Sequence, residues 1–170
     1  NKAKYIYKDL KVFINKTSKL SKFLNNNKIQ AIFHLAANAS VNSSIDKPLE
    51  MLDDNLYASI ALIEACKHSN VKKFIFASTS AVYGEPRYLP VDECHEKNPI
   101  SVYGLSKMLF EDYLKYFSKQ TKISTVIFRL PNVYGPRQRA DLEGGVIAIF
   151  SERMRKNYSI NIYGNGKQKR

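Results

Sequence analysis

A tyrosine and a lysine spaced four residues apart are the groups in this 170-residue chain best placed to transfer a proton. Tyr103 and Lys107 stand at the start of a segment that reads as a helix, where this spacing stacks both side chains on one face. An ammonium group held near a phenol favours the phenolate, so a tyrosine with a pKa of about 10 in water could act as a base near neutral pH. The pair therefore indicates proton transfer to or from a substrate alcohol.

Hydroxyl groups precede this pair in the sequence. The apolar segment Phe74–Ala77 is followed directly by Ser78, Thr79 and Ser80. A buried parallel strand whose carboxyl end opens into a site has this pattern. The sequence therefore predicts a strand that ends in an active-site hydroxyl, followed by a catalytic helix over 103–120.

The rest of the chain alternates between short strands and amphipathic helices. Polar loops are expected at 40–48 and 84–99. The other predicted elements are strands at 5–10, 31–37 and 123–130, and helices at 18–27 and 49–69.

Composition narrows the class of protein. Hydrophobic residues make up 44% of the chain, and no apolar run approaches the ~20 residues of a membrane span. Cys66 and Cys94 suit neither a disulfide framework nor a metal site, which favours a reducing cytoplasm, and Cys66 is expected in the core. The net charge of +12 suggests an anionic partner, but the lysines are scattered and form no nucleic-acid motif. We therefore expect a nucleotide diphosphate as the anion, with no nucleic acid, membrane or metal.

Two segments around the catalytic pair resemble one family. The sequences STSAVYG at 78–84 and NPISVYGLSK at 98–107 closely resemble the extended short-chain dehydrogenase/reductases, and among them the UDP-glucose 4-epimerases and related nucleotide-sugar epimerases. The resemblance covers nearly the whole chain. It implies an α/β fold with a doubly wound, Rossmann-like parallel sheet, divided into a partial NAD-binding domain at 1–133 and the start of a small nucleotide-sugar-binding domain at 134–170.

The glycine-rich turn that opens a dinucleotide fold is absent from the first twenty residues, and the first glycine is Gly84. We therefore expect the sheet to be N-terminally incomplete. We also expect residues 1–170 alone to be inactive and to bind NAD too weakly for co-purification.

The resemblance implies NAD-dependent epimerisation at C4 of a UDP-hexose of the UDP-glucose/UDP-galactose type. In this reaction Tyr103 removes the C4 hydroxyl proton while NAD takes the hydride from C4, and the transient 4-keto sugar receives it back on its other face. Lys107 lowers the Tyr103 pKa and holds the nicotinamide ribose, and Thr79 bridges the substrate oxygen to Tyr103. Ser78 and Ser80 are the alternative hydroxyls.

The resemblance also assigns binding residues. The cofactor contacts implied are Asp9, Leu10, Leu35, Ala36, Ala37, Asn55, Ser78, Tyr103, Lys107 and Pro131. The substrate contacts implied are Thr79, Tyr103, Asn132, Gly145, Val146, Asn161, Tyr163 and Arg170, with a strand over 161–163 and the arginine on phosphate.

His34 lies within an apolar strand, so we expect a hydrogen-bonded structural histidine there. The helices at 49–69 and 103–120 are implied to pair with their copies in a homodimer.

Other functions stay open at this stage. Within the same fold, the alternatives are a UDP-N-acetylglucosamine or UDP-glucuronate 4-epimerase, a UDP-glucuronate decarboxylase and a non-catalytic dinucleotide sensor. The alternative with a different fold is a basic binding module. The intact set of Thr79, Tyr103 and Lys107 argues against a sensor. The family's 4,6-dehydratases carry an Asp-Glu pair directly after the threonine, whereas this chain has Ser80 and Ala81, which cannot replace two carboxyl groups.

Overall fold

The computed structural model describes residues 5–141, 145–162 and 164–166. The chain divides into two compact units, Asn1–Pro131 and Asn132–Arg170. The predicted boundary was at 133/134, and the ligands expected for each domain stay predictions.

A three-stranded parallel sheet forms the centre of the first unit. Its strands are β1 (Ala31–His34), β2 (Lys73–Thr79) and β3 (Ser124–Leu130), paired in the order β1-β2-β3. The middle strand buries consecutive residues, including Phe74 and Phe76, as expected for a strand covered on both faces. The predicted α/β class and parallel sheet are confirmed.

Helices connect the strands and carry the site residues. They are α1 (Thr17–Asn26), α2 (Val41–Asp46), α3 (Pro48–Leu52), a π-helical turn (Asp53–Tyr57), α4 (Ala58–Lys67), α5 (Val102–Gln120) and, in the second unit, α6 (Val146–Arg155). Two short 3₁₀ helices span Leu10–Phe13 and Ser80–Val82. Among the described residues, no helix has the length and apolar character needed to cross a membrane.

The hydrophobic core of the first unit lies between the sheet and helices α1, α4 and α5. The Phe110 ring of α5 meets the Phe76 ring of β2 edge-on, with centroids 4.8 Å apart. Ile63, Leu114 and Cys66 are fully buried in the same cluster. The prediction that Cys66 lies in the core is confirmed, and burial raises the pKa of its thiol to about 12.

The predicted strand at 5–10 is wrong. Residues 5–9 have no regular structure, and the 3₁₀ helix begins at Leu10. The Asp9 carboxylate accepts a hydrogen bond of 2.9 Å from Lys11 N, and this local contact turns the chain. A strand also needs a neighbour for its backbone groups, and among the described residues β1 pairs only with β2.

Two predictions between β1 and β2 also need correction. The segment 40–48 was predicted as a loop because it is polar, but it contains α2. Ser44 of this helix has no exposed surface. The helix predicted at 49–69 is interrupted by the π-helical turn at its centre. The π-helical turn places the Asn55 side chain in the interior, where its amide group bonds to the main chain of Asn38.

The last predicted strand is wrong for its described part. Asn161 and Ile162 have no regular structure and are exposed, and Tyr163 lies outside the described residues. Helix α6, by contrast, was not predicted at all.

Candidate active site

Helix α5 places the tyrosine and lysine as their spacing predicts. The helix begins after Ser101, whose hydroxyl caps it by accepting a hydrogen bond of 3.1 Å from Gly104 N. Tyr103 is half-buried in the first turn, and Lys107 lies one turn later. The Lys107 ammonium nitrogen is 6.0 Å from the centroid of the Tyr103 ring, so the structure brings the pair together.

Lys107 lies in a buried site that perturbs the pKa of its ammonium group. Its side chain is 3% exposed, and its Nζ donates a hydrogen bond of 2.9 Å to the carbonyl oxygen of Ala77. The same nitrogen lies 4.8 Å from the centroid of the Phe76 ring. Burial lowers the pKa of Lys107 from 10.5 to about 8, so the group is still a cation at pH 7.

Thr79 is the last residue of β2, and its hydroxyl accepts a hydrogen bond of 3.1 Å from Ala81 N at the start of the second 3₁₀ helix. This turn packs closely on the first turn of α5. A Cβ atom on Gly104 would lie 2.6 Å from the Ala81 carbonyl oxygen, closer than side-chain carbons come. The glycine therefore lets the turn that follows Thr79 approach the helix turn that carries Tyr103.

The two alternative hydroxyls have different surroundings. Ser78 is buried, and its hydroxyl donates a hydrogen bond of 2.6 Å to Glu111 inside the protein. It is therefore unsuited to replace Thr79, and a cofactor contact by Ser78 would have to come from its main chain. Ser80 is exposed.

The residues expected to contact the cofactor beside β1 form an open surface. Leu35, Ala36 and Ala37 follow the carboxyl end of β1 and are exposed. Small side chains at the end of a parallel strand suit a dinucleotide, which needs close approach to the backbone. Asn55 supports this segment from beneath, because its amide oxygen and nitrogen each form a 2.8 Å hydrogen bond with the main chain of Asn38.

The remaining expected cofactor residues lie further along the chain. Asp9 is exposed and Leu10 half-buried at the start of the first 3₁₀ helix, which is fastened to the π-helical turn by the ion pair between Lys11 and Asp54 at 2.7 Å. Pro131 follows β3 and is exposed. Because Leu130 is paired in register with Thr79, Pro131 lies at the same edge of the sheet as that threonine.

His34 is structural, as predicted. It is buried, and its Nε2 lies 2.7 Å from the hydroxyl of Ser59. Its ring stacks on Phe76 at a centroid distance of 5.7 Å. Burial lowers the pKa of His34 to about 4, which keeps the imidazole neutral.

The predicted substrate residues other than Thr79 and Tyr103 fall in the second unit. Gly145 caps the N-terminus of α6 and Val146 is its first residue, where main-chain N–H groups favour an anion. Asn132 and Asn161 are exposed. Arg170, like Tyr163, lies outside the described residues. The sequence prediction missed the basic groups in and near α6 that line a cavity: Arg139, Arg153, Arg155 and Lys156.

A buried ion pair was also missed. Glu111 has no exposed surface, and Arg129 Nη2 lies 2.9 Å from its Oε2. One signal could have found it, since Glu111 continues the four-residue spacing of Tyr103 and Lys107 along α5.

Comparison with known proteins agrees with this geometry. UDP-glucose 4-epimerase of Lactobacillus helveticus is 38% identical over 134 residues, which are 79% of this chain and 39% of that protein. The structure of UDP-N-acetylglucosamine 4-epimerase from Methanobrevibacter ruminantium, in complex with UDP-N-acetylmuramic acid, superposes with a TM-score of 0.86 at 39% identity, covering 96% of this chain and 51% of that one. The structure of UDP-glucose 4-epimerase from Thermotoga maritima with UDP-glucose gives a TM-score of 0.85 at 36% identity, covering 91% and 50%.

The chain thus spans about half the length of these two structures. Residues 7–170 match the family described as NAD dependent epimerase/dehydratase. This match confirms the resemblance read from the sequence, and with it NAD as the cofactor. The chain belongs to the NAD dependent epimerase/dehydratase family.

Proposed function

We propose that the whole protein interconverts the C4 epimers of a UDP-hexose, UDP-glucose and UDP-galactose. The observation that carries this proposal is the buried Lys107 cation beside Tyr103. Both groups lie near the carboxyl end of β2, whose last residue is Thr79. The similarity to epimerases of two different UDP-sugars supports the reaction class.

Tyr103 is the proton-transfer group of this proposal. It takes the proton of the C4 hydroxyl, and the phenolate is stabilised by the Lys107 cation. Because Lys107 is shielded from water, its charge acts through a lower effective dielectric constant than an exposed ammonium would. At pH 7 the lysine carries its charge, since its pKa is about 8.

Thr79 orients the substrate. Its oxygen already accepts the hydrogen bond from Ala81 N, which fixes the rotamer, and its O–H hydrogen is then available for the C4 oxygen. This contact bridges the substrate to Tyr103.

When bound, NAD would supply the hydride acceptor for C4 and the hydride donor for the opposite face of the 4-keto sugar. The exposed Leu35, Ala36 and Ala37 would hold it at the end of β1, and Lys107 would hold the nicotinamide ribose.

Loss of water is disfavoured by the residues after Thr79. Ser80 and Ala81 form the 3₁₀ helix there, and neither side chain is an acid strong enough to protonate a leaving hydroxyl. UDP-N-acetylglucosamine is the second candidate substrate, because one of the two similar structures is an epimerase of that sugar nucleotide.

We further propose that the protein works as a cytoplasmic homodimer through the segments 49–69 and 103–120. Exposed apolar side chains on this surface support a protein partner: Tyr57, Leu105, Leu109 and Tyr116. The two unpaired cysteines, Cys66 and Cys94, support a reducing compartment.

Product analysis tests the reaction. The full-length protein is incubated separately with UDP-glucose, UDP-N-acetylglucosamine and UDP-glucuronate, and products are separated by chromatography and weighed by mass spectrometry. We expect UDP-galactose from UDP-glucose, with an unchanged mass. Loss of one water would identify a dehydratase, loss of carbon dioxide from UDP-glucuronate a decarboxylase, and absence of any turnover would contradict the proposal.

A further inference from the structure

Glu111 joins three elements of the sheet-and-helix layer at one buried point. It lies in α5, one turn after Lys107, and has no exposed surface. Its carboxylate accepts a hydrogen bond of 2.6 Å from the Ser78 hydroxyl in β2. Arg129 in β3 approaches the same carboxylate with two nitrogens, Nη2 at 2.9 Å from Oε2 and Nε at 3.1 Å from Oε1.

The same arginine also bonds to two residues that follow Thr79 in the chain. Arg129 Nη1 donates hydrogen bonds of 2.9 Å to the Tyr83 hydroxyl and 3.1 Å to the main-chain carbonyl of Glu93. Thr79 therefore lies between two anchored residues, because Ser78 precedes it directly and Tyr83 follows in the same turn. We call these four side chains the Glu111 network: Ser78, Tyr83, Glu111 and Arg129.

A buried ion pair of this kind supplies geometry more than stability. The desolvation of a carboxylate and a guanidinium offsets much of their attraction, and apolar residues of similar size often stabilise a core equally well. Two parallel N–H···O bonds, however, fix both the distance and the orientation of the partners. The ends of β2 and β3 are thus held in one arrangement relative to α5, the helix that carries the catalytic pair.

We propose that the Glu111 network is a positioning device that holds the hydroxyl of Thr79 in register with Tyr103. Its side chains act through Thr79 and contact neither substrate nor cofactor. The inference rests on the proposed 4-epimerase function, in which Thr79 bridges the C4 oxygen to Tyr103. Small displacements at such a point are costly, since a shift of about 1 Å can reduce a rate about 100-fold.

A double-mutant cycle in the full-length protein tests this role. Ser78→Ala removes one hydrogen bond and leaves the ion pair intact. We expect kcat for the UDP-hexose to fall about tenfold, with KM and the amount of bound NAD per chain unchanged. Because Ser78 acts through Thr79, adding Ser78→Ala to a Thr79→Ala protein should lower kcat by less than about twofold further.

A matched control separates position from stability. Ser21→Ala removes another buried serine hydroxyl, which donates a hydrogen bond of 2.8 Å to the carbonyl of Ala65 between α1 and α4. It should lower the Tm without lowering kcat of the folded protein. If Ser78→Ala fails to fold, Tyr83→Phe, which keeps the ring and loses the hydroxyl, carries the same cycle with Thr79→Ala.

The outcomes are distinct. Additive losses in the cycle, or a wild-type kcat in the network variants, would overturn the inference while the proposed function stands. A loss of bound NAD in Ser78→Ala would assign its hydroxyl to the cofactor and overturn the inference as well. A wild-type protein that does not interconvert C4 epimers would overturn both.

Discussion

The ammonium nitrogen of Lys107 lies 2.9 Å from the carbonyl oxygen of Ala77, and this bond ties helix α5 to the end of the middle strand. The lysine is buried although no carboxylate pairs with it within 4.0 Å in the described part of the chain. A cation desolvated in this way lowers stability and strengthens its field at the neighbouring tyrosine.

Replacement of Lys107 should therefore separate stability from activity. The fall of the Lys107 pKa from 10.5 to about 8 corresponds to about 3 kcal/mol of unfolding free energy that is lost below pH 8. Lys107→Met removes this cost together with the hydrogen bond to the Ala77 carbonyl, so we expect a Tm at pH 7 equal to or above that of the wild type. The same variant should lose about 100-fold or more in kcat.

The low pKa of Lys107 also predicts how the unfolding free energy changes with pH. Between pH 8 and 10.5 the unfolded chain binds more protons at Lys107 than the folded chain does, so the wild type gains stability as the pH rises. Across this range the unfolding free energy of the wild type should therefore rise relative to that of Lys107→Met. Lys119→Met, at an exposed position of the same helix, is the matched control. A difference that does not change with pH would contradict the assignment.

Gly104→Ala should disturb the site through packing alone. The new Cβ atom would lie 2.6 Å from the Ala81 carbonyl oxygen, so helix α5 and the turn after Thr79 have to move apart. We expect a loss of about 1–3 kcal/mol in unfolding free energy, measured by denaturant titration, and a reduced kcat. Gly135→Ala is the matched control, because its Cβ atom would meet nothing within 4 Å. Equal stability of the two variants would show that the close approach is absent in solution.

The homodimer prediction depends on the exposed face of α5. Leu109→Arg places a charge on that face, and we expect the full-length protein to elute as a monomer in size-exclusion chromatography with light scattering. Leu89→Arg changes an equally apolar, exposed leucine outside both helices and should leave the assembly unchanged. A wild-type monomer, or a dimer that persists in Leu109→Arg, would contradict the proposed interface.

The sequence predicted those parts of the molecule that local patterns determine. The strand at β2 and the helix α5 follow from an apolar run and from periodic apolar residues, and both formed close to the expected bounds. The strand predicted at 5–10 failed because a strand depends on a partner distant in sequence, whereas the Asp9 turn is local. For the same reason the sequence showed the charges of Glu111 and Arg129 but not their pairing.

The site was predictable to a similar extent. The helical spacing of Tyr103 and Lys107 was visible, and the structure brings both groups together. The buried position of the Ser78 hydroxyl was not, because it depends on which face of β2 meets α5. The π-helical turn at Asn55 also depends on a contact with Asn38, seventeen positions earlier in the chain.

The kcat of Tyr103→Phe in the full-length protein tests directly whether Tyr103 is the proton-transfer group. With UDP-glucose as substrate, loss of the phenol should lower kcat by about 100-fold or more, because general-base catalysis is worth ~10²–10⁴, while substrate binding changes little. Tyr116→Phe removes the hydroxyl of an exposed tyrosine on the same helix and should keep the wild-type rate. If Tyr103→Phe retained more than about a third of the wild-type kcat, Tyr103 would not be the proton-transfer group and the proposed mechanism would be wrong.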